Sequence, residues 1–219
     1  MPASTGSVSD APATFEELGH LGPLVRYDVD LPADGPAMLA FGEVRDLAWV
    51  HVDDVFVGRL SCTLHERTLA IPAGSRLTVL VEDQGRVNYG HRLGEEKGLI
   101  GGAMLDGEPL TGWTATPVDL STAVGTGSGT LGRALLRGTF DLDAPADLFL
   151  DTTAWGKGFA FVNGFFLGRY WRNVPQRTLY VPAPALRAGA NEIVVLELEQ
   201  AAELVARFVA QPELGQLEE

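Results

Sequence analysis

The sequence predicts an all-β protein built as two β-sandwich domains in tandem. Three observations carry this. Apolar residues recur at period two in short segments. Gly, Pro, Asp and Asn punctuate those segments. A pattern in the first half of the chain returns in the second.

The elements follow in order. Met1 to about residue 14 is rich in Ser, Ala and Pro and is expected to be a flexible N-terminal tail. Arg26–Leu31 alternates, with Tyr27, Val29 and Leu31 on one face. Asp46–Val52 alternates in the same way, and Leu77–Glu82 is rich in β-branched residues. A first domain is expected over 15–120. Residues 121–132 are almost entirely Gly, Ser, Thr and Ala, the composition of a linker. A second domain is expected over 133–212, with strands at Asp147–Leu150, Phe159–Val162 and Asn191–Glu199, and a short tail over 213–219. Gln200–Ala210 fits helical spacing through Ala201, Leu204, Val205 and Phe208, but it also alternates from Leu204 to Val209. It is assigned as a closing strand, to pair with the strand before it.

The repeat sets the domain count. Val52-Asp-Asp-Val-Phe-Val-Gly-Arg59 matches Val162-Asn-Gly-Phe-Phe-Leu-Gly-Arg169, and Thr68-Leu-Ala-Ile-Pro-Ala73 matches Thr178-Leu-Tyr-Val-Pro-Ala183. Both matches have the same offset, 162 − 52 = 178 − 68 = 110. A third follows after a small insertion: Ala73-Gly74 with Leu77–Val81, against Ala188-Gly189 with Ile193–Glu197. Three matches in one order indicate a duplicated domain. Asn163-Gly164 suits a two-residue hairpin because both positions tolerate positive φ; Asp53-Asp54 fills the same turn less comfortably. Gly58 and Gly168 permit a bulge or a close backbone approach.

Composition excludes several function classes. The net charge of −13 disfavours a nucleic-acid partner, since no run of Lys or Arg offers a local basic patch. The single cysteine, Cys62, allows no internal disulfide and no Cys-based zinc site, and its apolar neighbours suggest a buried, inert thiol. His20, His51, His65 and His91 show no metal-ligand spacing, so no metal or other cofactor is expected. There is no run of about 18 apolar residues, hence no membrane span, and the N-terminus does not resemble a signal peptide. A cytoplasmic location is the expectation.

Longer strings carry a family resemblance. Trp155-Gly-Lys-Gly-Phe-Ala-Phe-Val-Asn-Gly-Phe-Phe-Leu-Gly-Arg-Tyr-Trp171, with Pro175-Gln-Arg-Thr-Leu-Tyr-Val-Pro182 after it, resembles the C-terminal region of glycoside hydrolase family 35 β-galactosidases. So does Val81-Glu-Asp-Gln-Gly-Arg-Val-Asn-Tyr-Gly90, followed by Lys97–Gly101 and Leu110-Thr-Gly-Trp113. The resemblance covers roughly residues 15–215. It implies sandwiches of the jelly-roll, galactose-binding-like type. It also implies a retaining hydrolase of terminal β-linked galactose, whose two catalytic Glu residues stand on a (β/α)8 barrel of about 250 residues. No alternating strand and helix pattern precedes residue 15, so no catalytic residue is carried over, and the chain is expected to be inactive alone. A galactoside and a barrel, in cis or on a separate chain, are the partners implied.

Local acids do not replace the missing pair. A retaining site needs two carboxyls about 5–5.5 Å apart. Asp53/Asp54, Glu95/Glu96 and Glu16/Glu17 are adjacent in sequence, and neighbours in a strand point to opposite faces. They are taken as turn or surface charge.

Candidate binding residues come from two places. The resemblance puts Tyr89 near the sugar pocket, where its ring offers an apolar face and its hydroxyl a hydrogen bond. Asn88 and Arg86 share that loop; Asn88 is also suited to satisfying loop backbone groups, and Arg86 to pairing with Glu82 or a partner-domain carboxylate. Trp155, Tyr170 and Trp171 are candidates for a sugar platform, but buried core aromatics, like Trp49, are the better reading, because they flank alternating strands. Trp113 is expected to pack between domains, and Lys157 and Arg169 to bridge to a neighbouring domain. Two functions follow: the β-domains supporting a galactosidase barrel and lining its mouth, as a fragment or split-gene product, or a free-standing carbohydrate-binding module.

Overall fold

The computed structural model describes residues 8–32, 35–121, 134–203 and 205–215. The chain divides into two compact units, Met1–Asp119 and Leu120–Glu219, each described by itself. Most of the expected linker, residues 122–132, lies outside the described residues.

The first unit is a sandwich of two antiparallel sheets. One sheet holds β1 (Leu24–Asp30), β3 (Leu47–Val52), β4 (Val55–Ser61), β6 (Arg76–Glu82) and β9 (Thr114–Pro117), in the order β4-β3-β6-β1-β9. The other holds β2 (Ala37–Arg45), β5 (Thr68–Ile71), β7 (Gly98–Leu105) and β8 (Glu108–Pro109), in the order β5-β2-β7-β8. Alternation supplies the core, as the sequence suggested: Val25, Tyr27 and Val29 of β1 and Ala48, Val50 and Val52 of β3 meet Leu39, Phe41 and Val44 of β2 and Leu99 of β7.

Two strands of the second sheet carry no clean alternation in sequence, and glycine is the reason. Gly42 interrupts β2, where a Cβ would stand 2.6 Å from the Ile100 carbonyl oxygen. The register between β2 and β7 shifts there, between Phe41 and Glu43. A bulge of this kind breaks the period of two.

The second unit repeats the frame. Its larger sheet runs β13-β12-β15-β10, from β10 (Ala134–Leu142), β12 (Lys157–Val162), β13 (Phe165–Trp171) and β15 (Gly189–Glu197). Its smaller sheet runs β14-β11-β16, from β11 (Leu148–Asp151), β14 (Thr178–Val181) and β16 (Arg207–Val209). The core joins Ala160, Val162, Tyr170, Ile193 and Val195 to Leu150, Leu179 and Val181. Shifting β3, β4 and β5 by 110 residues gives the bounds of β12, β13 and β14, and the sheet orders correspond except at one edge of each sheet, where β9 and β8 have no counterpart among the described residues of the second unit.

Both hairpins turn as the sequence proposed. Asp53 and Asp54 have φ of 47° and 64°, Asn163 and Gly164 of 50° and 80°, the positive values a two-residue turn requires. Each hairpin then shifts register at equivalent places, between Val50 and His51 and between Ala160 and Phe161. Gly58 and Gly168 sit opposite Val50 and Ala160, at those bulges.

The structure corrects four local expectations. Residues 8–14, assigned to a loose tail, are tied to the first unit: the Ser9 amide donates to the Trp113 carbonyl, and Tyr27 Oη donates to the Ala13 carbonyl. Trp113 is not an interdomain residue. It is 1% exposed inside the first core, its ring 6.2 Å from Phe41 and its indole N–H donated to the Leu110 carbonyl. Cys62 is half-buried rather than buried. The terminal segment does form a strand, but β16 pairs with β11, not with β15 before it. The local pattern shows that a strand exists, while its partner is set by which sheet needs an edge.

Candidate functional site

The loop from Gln84 to Glu96 connects β6 to β7 and carries the first group of candidates. An ionic cluster fixes its two ends. Lys97, whose side chain is 2% exposed, places Nζ 2.9 and 3.0 Å from the Asp46 carboxylate oxygens and 3.2 Å from Glu95 Oε1. Asp46 Oδ2 also accepts the Gln84 amide at 2.9 Å, so one carboxylate holds the loop's beginning and its end. Burial alone would push the Lys97 amine down. The hydrogen bond and charge of Asp46, with Glu95, outweigh it and hold the amine above its ordinary value. Glu95 is the mirror case: burial would raise its carboxyl, but Lys97 and Arg92 hold it below the usual range.

Arg86 belongs to this anchor. Its Nε donates to Asp83 Oδ2 at 2.7 Å and its other end meets Glu16. Within this chain its acceptors are Asp83 and Glu16 rather than Glu82, because the turn at Gly85 brings Arg86 back over Asp83, which also accepts the Gly85 amide. Arg86 therefore positions the loop. Asn88 and Tyr89 stand at its tip, Asn88 exposed and Tyr89 82% exposed. Past the tip, His91 and Arg92 form one wall of a cleft of about 590 Å3, which Arg45, Cys62, His65 and Arg67 also line.

Four of the six adjacent acids have local partners. Asp53 accepts from the Ser75 hydroxyl and from the Ser75 and Arg76 amides. Glu95 is held by Lys97 and Arg92. Glu16 accepts the Lys97 amide, while Glu17 exchanges hydrogen bonds with Thr14 in a capping arrangement. Asp53 is turn charge as expected, whereas Glu95 departs from the expectation: its side chain is 10% exposed and belongs to the buried cluster around Lys97.

The second group divides. Trp155 and Tyr170 are 4% and 3% exposed, packed edge to face at 5.2 Å in the second core. Buried rings present no open platform, so the platform role falls for both and the core reading the sequence favoured stands. Tyr170 Oη donates to buried Glu197 at 3.0 Å, and burial together with that carboxylate pushes the phenol's pKa up. Glu197 also accepts the Gly156, Lys157 and Glu199 amides, closing the turn before β12. Trp171 is half-buried, with Lys157 Nζ 4.1 Å from its ring centroid. Lys157 itself is fully buried within this unit rather than reaching outward, and Arg169 is exposed on β13.

Sequence patterning missed one aromatic row of the second unit that reaches the surface. β11 lies between β14 and β16, and Phe149 pairs with Tyr180 on one side and Val209 on the other. Leu150, Leu179, Val181 and Phe208 face the core, so alternation turns this row outward. Tyr180 is 49% and Val209 38% exposed, and the Phe149 and Tyr180 rings are 5.5 Å apart. The signal was in Thr178-Leu-Tyr-Val181, where the tyrosine is out of phase with the apolar positions.

Among the described residues no cluster of three His, Cys, Asp or Glu is arranged to hold a metal, and no helix is long and apolar enough to cross a membrane.

Comparison with known proteins identifies both units. Residues 12–119 match the family model for the β-galactosidase first all-beta domain, and residues 134–191 match that for the β-galactosidase galactose-binding domain. The β-galactosidase of Xanthomonas manihotis is 39% identical over 186 residues, covering 81% of this chain and 31% of that protein. That of Macaca fascicularis is 36% identical, covering 93% and 36%, and human β-galactosidase-1-like protein 2 is 32% identical, covering 94% and 35%. The chain thus spans about a third of the length of these relatives. A lectin of Pleurotus ostreatus overlaps 95% of the chain at 11% identity and a TM-score of 0.28, too low to carry an argument. Two domain models in sequence order and relatives aligned over most of the residues show that this chain belongs to the β-galactosidase family, as its all-β C-terminal region.

Proposed function

We propose that the chain provides the non-catalytic β-domains of a galactoside hydrolase. In this reading it buttresses a catalytic barrel, in cis or on a second chain, and the loop at Tyr89 lines the barrel's substrate mouth. The domain limits proposed are 15–120 and 133–212. The observation that carries the reading is the Gln84–Glu96 loop: both ends are clamped by a buried ionic cluster, and the tip holds out a bare tyrosine. Such rigidity is what a binding loop needs to present a ring without losing entropy on contact.

The test is a chimaera in which this chain replaces the matched third of the Xanthomonas manihotis enzyme. The chimaera should cleave a nitrophenyl β-galactoside, whereas this chain alone should not. Tyr89→Ala in the chimaera should raise KM about tenfold, the effect of losing roughly 1.4 kcal/mol of contact. Turnover by the isolated chain sinks the non-catalytic reading, and an unchanged KM removes Tyr89 from the mouth. A carbohydrate-binding role is favoured separately by the aromatic row on the second unit.

A further inference from the structure

We propose that the outer face of the β14-β11-β16 sheet is a second sugar-binding site that takes a neutral pyranoside, a galactoside in the first instance. The Phe149 and Tyr180 rings stack against the sugar's C–H face.

The geometry starts from the register. Tyr180, Phe149 and Val209 lie in one row across three strands, on the face turned away from the core. Neighbouring strands are about 4.7–4.9 Å apart, so the row is a continuous apolar strip about two strand spacings wide. One pleat further along the same face the row is polar, with Asp151 paired to Thr178 and to Arg207. On the other side stands exposed Asp147, which accepts the Ala183 amide at 2.8 Å.

An aromatic strip bordered by carboxylates and a guanidinium suits a sugar on both counts. Stacked rings bury the C–H face, and the hydroxyls at the rim find acceptors and donors. Galactose fits this in particular, because its axial 4-hydroxyl leaves one ring face largely free of hydroxyls. A protein partner fits less well. A stable protein interface takes about 20–30 residues a side, and three apolar side chains with charges at the border make a far smaller patch.

The duplication adds an independent argument. The offset of 110 puts Ala70 where the second unit has Tyr180, and pairing places Met38 where it has Phe149. The first unit builds the same strands with Met and Ala at those positions. The fold therefore does not require the aromatic pair, and its presence in one copy calls for another reason.

The double variant Phe149→Met with Tyr180→Ala installs the first unit's own residues and should leave far-UV circular dichroism unchanged. Lactose titrated into the full chain should shift the ring resonances of Tyr180 and Phe149. Binding should weaken at least tenfold in the double variant, persist in Tyr180→Phe, and be unaffected by Tyr89→Ala. The last comparison separates this site from the mouth loop. Three results would overturn the inference: no lactose-dependent shift at either ring, binding equal in the double variant and the wild type, or a double variant that changes self-association in sedimentation and not lactose binding. If the double variant fails to fold, the wild-type ring shifts alone decide the matter.

Discussion

Lys97 shows what one buried charge does for this protein. Its ammonium is the hub through which Asp46 and Glu95 fasten the loop, and nearly all of it is withdrawn from water. Removing one partner of a buried ion pair leaves the others uncompensated, at a cost of about 3–5 kcal/mol. Lys97→Met should therefore lower stability by that amount in urea unfolding, and should also make the 84–96 loop sensitive to protease. Titration follows from the same contacts. Glu95 and Asp28 both have folded-state carboxyls below their ordinary values. For Asp28, burial opposes the shift, and the hydrogen bonds and charges of Arg26, Thr78 and Arg76 outweigh it. A depressed acid stabilises the fold above its unfolded value, and that contribution fades as pH falls through the folded one. Lys97 is raised, so its contribution is complete below its ordinary value and is lost only as pH climbs past the folded one. The melting temperature should hold between pH 6 and 9 and drop steeply below about pH 4. A flat profile down to pH 3 would mean these pairs add nothing.

Hairpins are where sequence and structure agree most closely, because two residues decide the turn. Asp54 holds φ of 64° and Gly164 φ of 80° in equivalent positions. Only the glycine does so without a Cβ penalty. Asp54→Gly should stabilise the first unit by about 0.5–1 kcal/mol, and Gly164→Ala should destabilise the second by about 1–2 kcal/mol. Chevron or equilibrium unfolding of the two variants would check the opposite signs. Strands with regular alternation, such as β1, β3 and β6, were equally legible. β2 and β7 were not, since Gly42 and a bulge put their core residues out of phase. β16 was legible as a strand but not in its pairing, because pairing is a choice between two sheets and local pattern is silent on it.

At the scale of the whole molecule the duplicated frame is the main result. Equivalent strands fall in equivalent sheet positions, so differences between the copies mark positions the frame leaves open. If that holds, Phe149→Met with Tyr180→Ala should change unfolding free energy by no more than about 1 kcal/mol, since the replaced side chains lie on the outer face. A loss several times larger would show that the aromatic row has become part of the second unit's stability.

By itself the sequence determined the fold class, the duplication, the hairpin turns and the family, because each is written in short-range periodicity or in contiguous strings. The family resemblance, carried by such strings, put Tyr89 in the loop that holds Asn88 and Arg86. That the Phe149–Tyr180 row faces outward was decided only by tertiary structure. Trp155 precedes β12 and Tyr170 lies within β13, both in the core as the sequence favoured, whereas Phe149 and Tyr180, in β11 and β14, stay outside it. The physical reason is that exposure depends on which sheet lies across from a strand's face. That partner comes from residues tens of positions away, which no local pattern encodes.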